Sequence, residues 1–182
     1  MAMFVSYARQ DRETVASLKA DLERLGREVW IDEKLRGGQE WWDEILAAIR
    51  SCEVFVWTVS PTSVKSTACK AELGYAFALG RPVLPIMIKS VAIGLTPERI
   101  ANSQIVDYTT RGADQAIKLA GDLQAVQSPP PLPETLPEPP PVPVSYLEPF
   151  AVRVSAPSQL SSSDQREVLD FLRPLATSME DP

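Results

Sequence analysis

Histidine is absent from the 182 residues, and only two cysteines, Cys52 and Cys69, are present. Without histidine, zinc sites and catalysis by Ser/His or Cys/His pairs are excluded. We therefore predict no metal site. The two thiols are expected to be small, buried apolar side chains in a reducing compartment.

Positive charge is also scarce, since 18 Lys and Arg residues face 24 Asp and Glu residues, for a net charge of −6. An acidic chain is a poor match for nucleic acid or for an anionic membrane, and we expect neither as a partner. No apolar run approaches the ~18 residues of a membrane span, and the start "MAMFVSYARQ" lacks the pattern of a secretion signal. The protein is therefore expected to be cytoplasmic.

Short apolar runs alternate with helical patterns along the first two thirds of the chain. Helices are predicted at 11–25, around the apolar positions Trp42 to Ile49, within 63–80 and at 113–126. Strands are predicted at 3–6, 28–31, 54–59, 82–88 and 104–107. This alternation predicts an α/β fold, a flavodoxin-like, doubly wound parallel sheet of five strands. The prolines in the fourth strand indicate a position away from the centre of the sheet.

The composition changes abruptly after this region. Nine of the fifteen residues in 129–143 are proline, which is typical of a stiff, extended spacer. We therefore divide the chain into a domain (1–127), a proline-rich linker (128–145) and a tail (146–182). One amphipathic helix is predicted in the tail, with Ser163 as its N-cap. It either binds an unknown partner, which we favour, or belongs to a disordered tail with transient helicity.

Glu72 is an unexpected residue in the third predicted helix. At about 100° per residue it falls on the apolar half. Its neighbours three and four positions away are Ala68, Cys69, Tyr75 and Ala76, and none of them is a cation. Two interpretations are open: the carboxylate reaches solvent at the edge of the apolar stripe, or it lies at the wall of a cleft.

Several ligand-binding motifs of doubly wound sheets are missing. No GxGxxG opens the first helix and no GxxxxGK[ST] is present, which argues against dinucleotide-binding Rossmann domains and P-loops. A phosphoacceptor receiver domain needs carboxylates after the first and third strands. The chain has Ser6 and Tyr7 after the first strand, and Thr58, Val59 and Ser60 around the end of the third.

Four ordered segments resemble the Toll/interleukin-1 receptor (TIR) domain family, bacterial type, over residues 3 to about 126. They are "FVSYARQD", "VWIDEKLRGG" followed by "WWDEILAAI", "VFVWTVSPTSVKS" and "CKAEL". The resemblance implies the TIR version of the flavodoxin-like fold.

Many TIR domains cleave NAD+ at the nicotinamide ribosyl bond. Their catalytic glutamate lies three residues after a cysteine in the helix that follows the third strand, the place that Glu72 takes after Cys69. One carboxylate beside the ribose can stabilise the oxocarbenium-like transition state, so no histidine is required. The resemblance thus implies Glu72 as the catalytic residue, with NAD+ as substrate rather than cofactor, and either linear or cyclic ADP-ribose as product. We expect partial burial to raise the Glu72 pKa.

The resemblance also implies binding residues. Tyr7, Ala8 and Arg9 lie where family members hold NAD+, and Glu33 matches an acidic position that touches the ligand. Arg9 could pair with a phosphate or be a solvated side chain, and Glu33 could equally be an exposed loop charge. The loop "LRGG" at 35–38 corresponds to a surface that packs against the next TIR domain in head-to-tail assemblies.

The sequence departs from the family pattern at Ala68, because enzymatic TIR domains frequently carry Trp directly before the cysteine. Trp42 is expected in the core, whereas Trp41 could face the cleft.

The resemblance leaves two function classes open. The first is an NAD+ glycohydrolase or cyclase, activated by self-assembly into filaments, in bacterial antiphage defence. The second is a non-enzymatic adaptor or a virulence mimic that acts through TIR-TIR contacts.

Overall fold

A computed structural model describes residues 2–32, 39–110 and 112–143, together with Tyr146, Gln165, Arg166 and Leu169. For residues 39, 40, 113 and 114 only the backbone is described. Most of the predicted tail helix lies outside the described residues, although the three described positions within it have helical backbone.

Five parallel strands form one sheet in the order β2-β1-β3-β4-β5, as the sequence predicted. The strands are β1 (Ala2–Ser6), β2 (Glu28–Ile31), β3 (Val54–Val59), β4 (Val83–Met87) and β5 (Val106–Asp107). β3 is central and buried along its whole length, whereas β4 lies one strand away from the centre, as its prolines indicated. β5 is shorter than predicted because only Val106 and Asp107 pair with β4.

Helices connect successive strands and cover both faces of the sheet. They are α1 (Arg12–Arg24), α2 (Gln39–Ser51), α3 (Thr67–Ala78), α4 (Glu98–Ala101) and α5 (Ala113–Ala125). The segment "LTPERIA" between β4 and β5 contains the short helix α4. Within the described part of the chain, no helix has the length and apolar character to cross a membrane.

The core consists of two clusters, one on each face of the sheet. Side chains alternate between the faces along each strand. Met3 and Val5 of β1 pack in the cluster with α1 and α5, while Phe4 packs in the cluster with α2 and α3. Cys52 and Cys69 are both free and buried, as expected.

Two local features fix the position of α3. The Ser66 side chain caps its first turn by accepting a hydrogen bond from the Cys69 amide at 3.2 Å. Gly80 ends it with φ of 68°, a left-handed conformation that glycine adopts at low cost. The helix therefore begins at the carboxyl edge of the sheet, where the cap also orients its free amide groups.

Residues 126–143, which follow α5, form neither helix nor strand, but they remain in contact with the domain. We call residues 126–143 and Tyr146 the strap. Val126 packs against the α1 and α5 cluster, and Val142 against the cluster on the opposite face. Pro130 lies beside Gly80, with its Cγ 3.5 Å from the position that a Cβ atom would take there. The strap thus passes from one face of the sheet to the other.

Candidate functional site

The reversal of strand order places a cavity at the carboxyl edge of the sheet. The chain moves outward from β1 to β2 and then returns to β3 on the other side of β1. Ligands of doubly wound sheets bind at such switch points, outside the carboxyl ends of the strands. A cavity of about 560 Å³ lies there, lined by 7–10 after β1, by 61–62 and 65–68 after β3, and by Tyr146.

Two cations and a helix N-terminus border this cavity. Arg9 and Lys65 line it and are both exposed. Ser66, Thr67 and Ala68, at the start of α3, form part of the same wall. Because the N-terminus of a helix carries partial positive charge and unpaired amide groups, this side of the cavity suits a phosphate-like anion.

A buried polar network holds the surrounding loops in place. The Asp11 side chain accepts hydrogen bonds from Ser60 Oγ and Thr62 Oγ1 at 2.5 Å each, and pairs with Lys89 Nζ at 2.6 Å. Burial alone would raise the pKa of Asp11, but the Lys89, Ser60 and Thr62 hydrogen bonds outweigh it and lower the pKa. Asp11 therefore ties together the segments that follow β1, β3 and β4.

Glu72 is buried beside this cavity rather than exposed in it. The residue is 3% exposed and, in the described part of the chain, forms no salt bridge. Its Oε1 accepts a hydrogen bond from Tyr146 Oη at 2.8 Å. Tyr146 lines the cavity whereas Glu72 does not, so the carboxyl group is linked to the cavity through this hydrogen bond.

Tyr146 is held by several contacts of its own. The residue is 7% exposed, its ring centroid lies 5.6 Å from that of Trp42, and the Arg9 guanidinium lies 5.6 Å from it on one face. Trp42 Nε1 donates a hydrogen bond to the Pro140 carbonyl at 2.8 Å, which fixes the strap just before Tyr146. The end of the strap is therefore anchored at the site.

Burial, together with a smaller effect of the nearby Asp32 carboxylate, raises the pKa of Glu72 from 4.5 to about 7. Hydrogen bonding from Tyr146 acts in the opposite direction, because the donor stabilises the charged form. The Ser6 hydroxyl also favours the charged form, although Ser6 Oγ has no partner within hydrogen-bonding distance among the described residues. The carboxyl group is thus balanced between its two protonation states near neutral pH.

Cys69 is one turn away on α3 and is chemically inert. Burial and the Glu72 carboxylate raise the pKa of its thiol to about 12. A thiol with so high a pKa is not ionised at neutral pH and does not act as a nucleophile. Cys69 is therefore a small buried side chain of α3.

The structure brings together some of the predicted site residues. Tyr7, Ala8 and Arg9 line the cavity, and Glu72 contacts it only through Tyr146. Glu33 and the loop at 35–38 lie outside the described residues.

Three interpretations of the sequence are wrong. Glu72 neither reaches solvent nor lines an open cleft, because Tyr146 covers it. Trp41 does not face the cleft, because it is 5% exposed and stacks on Trp30 with 6.0 Å between the ring centroids. Trp42 lies in the core, as expected.

Three residues of the site were missed from the sequence. Lys65 lies in the loop "SPTSVKS", whose position after the third strand could have drawn attention to its charge. Ser6 ends β1 and looked like an ordinary strand residue. Tyr146 follows a proline-rich segment, and an aromatic side chain at that position was the available signal that this part of the chain contacts the domain.

Replacing Glu72 with Gln should stabilise the protein above neutral pH. Folding raises the pKa of Glu72 from 4.5 to about 7, so the folded state binds more protons than the unfolded state between these values. Stability is therefore lost as the pH rises through that window, on the order of 3 kcal/mol at most. Relative to wild type, the free energy of unfolding of Glu72→Gln should therefore increase by about 1–3 kcal/mol from pH 5 to pH 8.5, as measured by urea unfolding.

The exposed Glu98→Gln serves as the matched control and should show no pH-dependent gain. An equal difference between Glu72→Gln and wild type at both pH values would show that the Glu72 carboxyl group is not desolvated.

Comparison with known proteins agrees with this architecture. Residues 3–120 match the sequence profile of the TIR domain. No match was found among curated protein sequences. The TIR domain of the Toll-related receptor TRR-2 from Hydra magnipapillata is 18% identical, with TM-score 0.53, over 67% of this chain and 93% of that one.

Two further solved structures are similar. The TIR domains of the activated Roq1 resistosome, which directly recognises the pathogen effector XopQ, are 19% identical, with TM-score 0.53, over 67% of this chain and 98% of that one. The CMP N-glycosidase BcmB from Clostridium botulinum is 19% identical over 68% of this chain and 98% of that one, but its TM-score of 0.45 is too low for comparing sites. Because the profile covers more than half of the sequence and the fold agrees with it, the chain belongs to the TIR domain family.

Proposed function

We propose that this TIR domain is an NAD+ glycohydrolase, with possible cyclase products, that cleaves the nicotinamide ribosyl bond. The observation that carries the proposal is Glu72, a buried carboxyl group with a pKa raised to about 7, next to a cavity at the switch point of the sheet. Strongly shifted carboxyl groups beside a cavity are characteristic of active sites.

The reaction needs one well-placed carboxylate. Nicotinamide departs with the electrons of the ribosyl C–N bond and becomes neutral, which leaves positive charge on the ribose. The Glu72 carboxylate stabilises that charge, and water then attacks the ribose carbon to give ADP-ribose and a proton. Attack by an adenine nitrogen instead of water gives a cyclic product. The cationic nicotinamide ring of bound NAD+ would favour the charged form of Glu72.

The size and charge of the cavity are suited to NAD+. Its volume of about 560 Å³ falls within the roughly 300–1,000 Å³ typical of small-molecule sites. Arg9 and Lys65 would pair with the diphosphate at the N-terminus of α3, while Tyr7 and Ala8 would contact the rest of the ligand. No metal or further cofactor is part of this proposal.

The biological setting of the proposal is bacterial antiphage defence in the cytoplasm, where NAD+ is present. TIR domains that stack head to tail would bring the sites into their active arrangement. A second candidate is a non-enzymatic adaptor or virulence mimic that acts through TIR-TIR contacts. The covering of Glu72 by Tyr146 favours it, because a carboxylate that never meets substrate catalyses nothing.

Nicotinamide release separates the two candidates. Purified protein at high concentration is incubated with NAD+, and nicotinamide and both ADP-ribose species are followed by chromatography. We expect slow release by wild type, with a specific rate that increases with protein concentration. Glu72→Ala and Glu72→Gln should lower the rate by roughly a hundredfold or more, because the transition state loses its charged partner.

A rate that Glu72→Gln leaves unchanged would remove Glu72 from the mechanism. Glu98→Gln, which changes an exposed carboxylate elsewhere, should match wild type.

The two cations at the cavity should act mainly on substrate affinity. Arg9→Ala and Lys65→Met each remove a charge that would face the diphosphate, and we expect KM for NAD+ to increase by roughly tenfold with a smaller effect on kcat. Lys70→Met is the matched control, since Lys70 is an exposed lysine of α3 that does not line the cavity. An unchanged KM in both cavity variants would place the diphosphate elsewhere.

A further inference from the structure

We propose that the strap is an autoinhibitory segment, in which Tyr146 occupies the space beside Glu72 that the ribose of a substrate would need. The site is closed while the strap is docked and opens when Tyr146 leaves. The inhibitory effect of the strap rests on the proposed function. The covering of Glu72 by the strap can be tested without it.

The first observation is the contact with Glu72. Tyr146 Oη donates its hydrogen bond to Glu72 Oε1 at 2.8 Å, so it uses the acceptor that a ribose hydroxyl group would use. The carboxyl group is 3% exposed with the strap in place. A substrate in the cavity cannot reach it without displacing the ring.

The second observation concerns Arg9. Its guanidinium lies 5.6 Å from the centre of the Tyr146 ring, a distance at which the cation is attracted to the face of the ring. The docked strap therefore engages both the carboxylate proposed for catalysis and a cation proposed for the diphosphate. Displacement of Tyr146 would free both groups together.

The third observation is that the strap is anchored at few points. At its start Val126 packs against the core, and at its end Trp42 Nε1 holds the Pro140 carbonyl while Val142 and Tyr146 pack against the core. Leu132 and Leu136 are 40% and 47% exposed. Residues 126–143 form no strand pairing that would retain them on the sheet, and the hydrogen bond that Tyr146 N donates to the Pro143 carbonyl at 2.9 Å lies within the strap itself. So few anchors allow the strap to dissociate while the sheet stays folded.

The same contacts would also suit a role for Tyr146 that is opposite to inhibition, namely substrate binding. Its ring lines the cavity beside Ala68 and could serve as an aromatic platform for substrate. The hydrogen bond to Glu72 favours inhibition, because a platform needs only the ring whereas Tyr146 also occupies the carboxyl oxygen. The two roles predict opposite effects of removing the side chain.

The test uses full-length variants and two readouts. Tyr146→Ala removes the ring and the donor, Tyr146→Phe removes the donor alone, and Leu136→Ala changes an exposed residue of the strap as a matched control. Nicotinamide release from NAD+ is the first readout. The second is modification of Glu72 by a water-soluble carbodiimide and an amine, measured by peptide mass spectrometry with the exposed Glu98 as internal reference.

Autoinhibition predicts roughly tenfold faster nicotinamide release and roughly tenfold faster Glu72 modification in Tyr146→Ala. Tyr146→Phe should have a smaller effect in the same direction, since it loses one hydrogen bond but keeps the ring. Leu136→Ala should match wild type, and adding Glu72→Gln to Tyr146→Ala should abolish the gain in release.

Release that is unchanged or slower in Tyr146→Ala, when wild type is active, would overturn the proposal. Unchanged Glu72 modification in Tyr146→Ala would overturn the covering role itself. If no variant releases nicotinamide but Glu72 modification increases in Tyr146→Ala, the proposed NAD+ chemistry fails while the covering of Glu72 by the strap stands.

Discussion

The site depends on a carboxyl group that is buried with no cationic partner among the described residues. Glu72 lies on α3 against the sheet, and its partner is a phenol from a distant part of the chain rather than an arginine or lysine. Burial of such a group is unfavourable in the charged form, and this raises the pKa to about 7. The same desolvation that costs stability keeps the carboxyl group responsive to a cationic ligand. The site is therefore a place where folding stability and reactivity oppose each other.

The rest of the architecture supports this one residue. The order of the strands leaves a gap between the segments that follow β1 and β3, and the Asp11 network fixes both of them. The cap at Ser66 sets where α3 begins, which places Glu72 about one turn beyond Ala68 of the cavity wall. Arg9 and Lys65 supply positive charge at the opening without neutralising Glu72. In the proposed function, binding and chemistry thus belong to different elements around the same cavity.

Much of this could be predicted from the sequence, because periodicity and spacing are local. The buried strand 54–59, the helix around Glu72 and its closing Gly80 all follow from patterns within a dozen residues. The positions of Tyr7, Ala8 and Arg9 at the cavity follow from their place after β1. The contact between Tyr146 and Glu72 spans 74 residues of sequence, and no pattern encodes it. The burial of Trp41 against Trp30 depends in the same way on how α2 packs on the sheet.

If Glu72 is a desolvated carboxyl group covered by Tyr146, its own titration must show it. Carbon-detected NMR of the Glu side-chain carboxyl signals, with Glu72 assigned by comparison with Glu72→Gln, gives the pKa in the full-length protein. We expect a midpoint near 7. A midpoint close to the ordinary value of 4.5 would mean that water reaches the carboxyl group freely and that Tyr146 does not cover it.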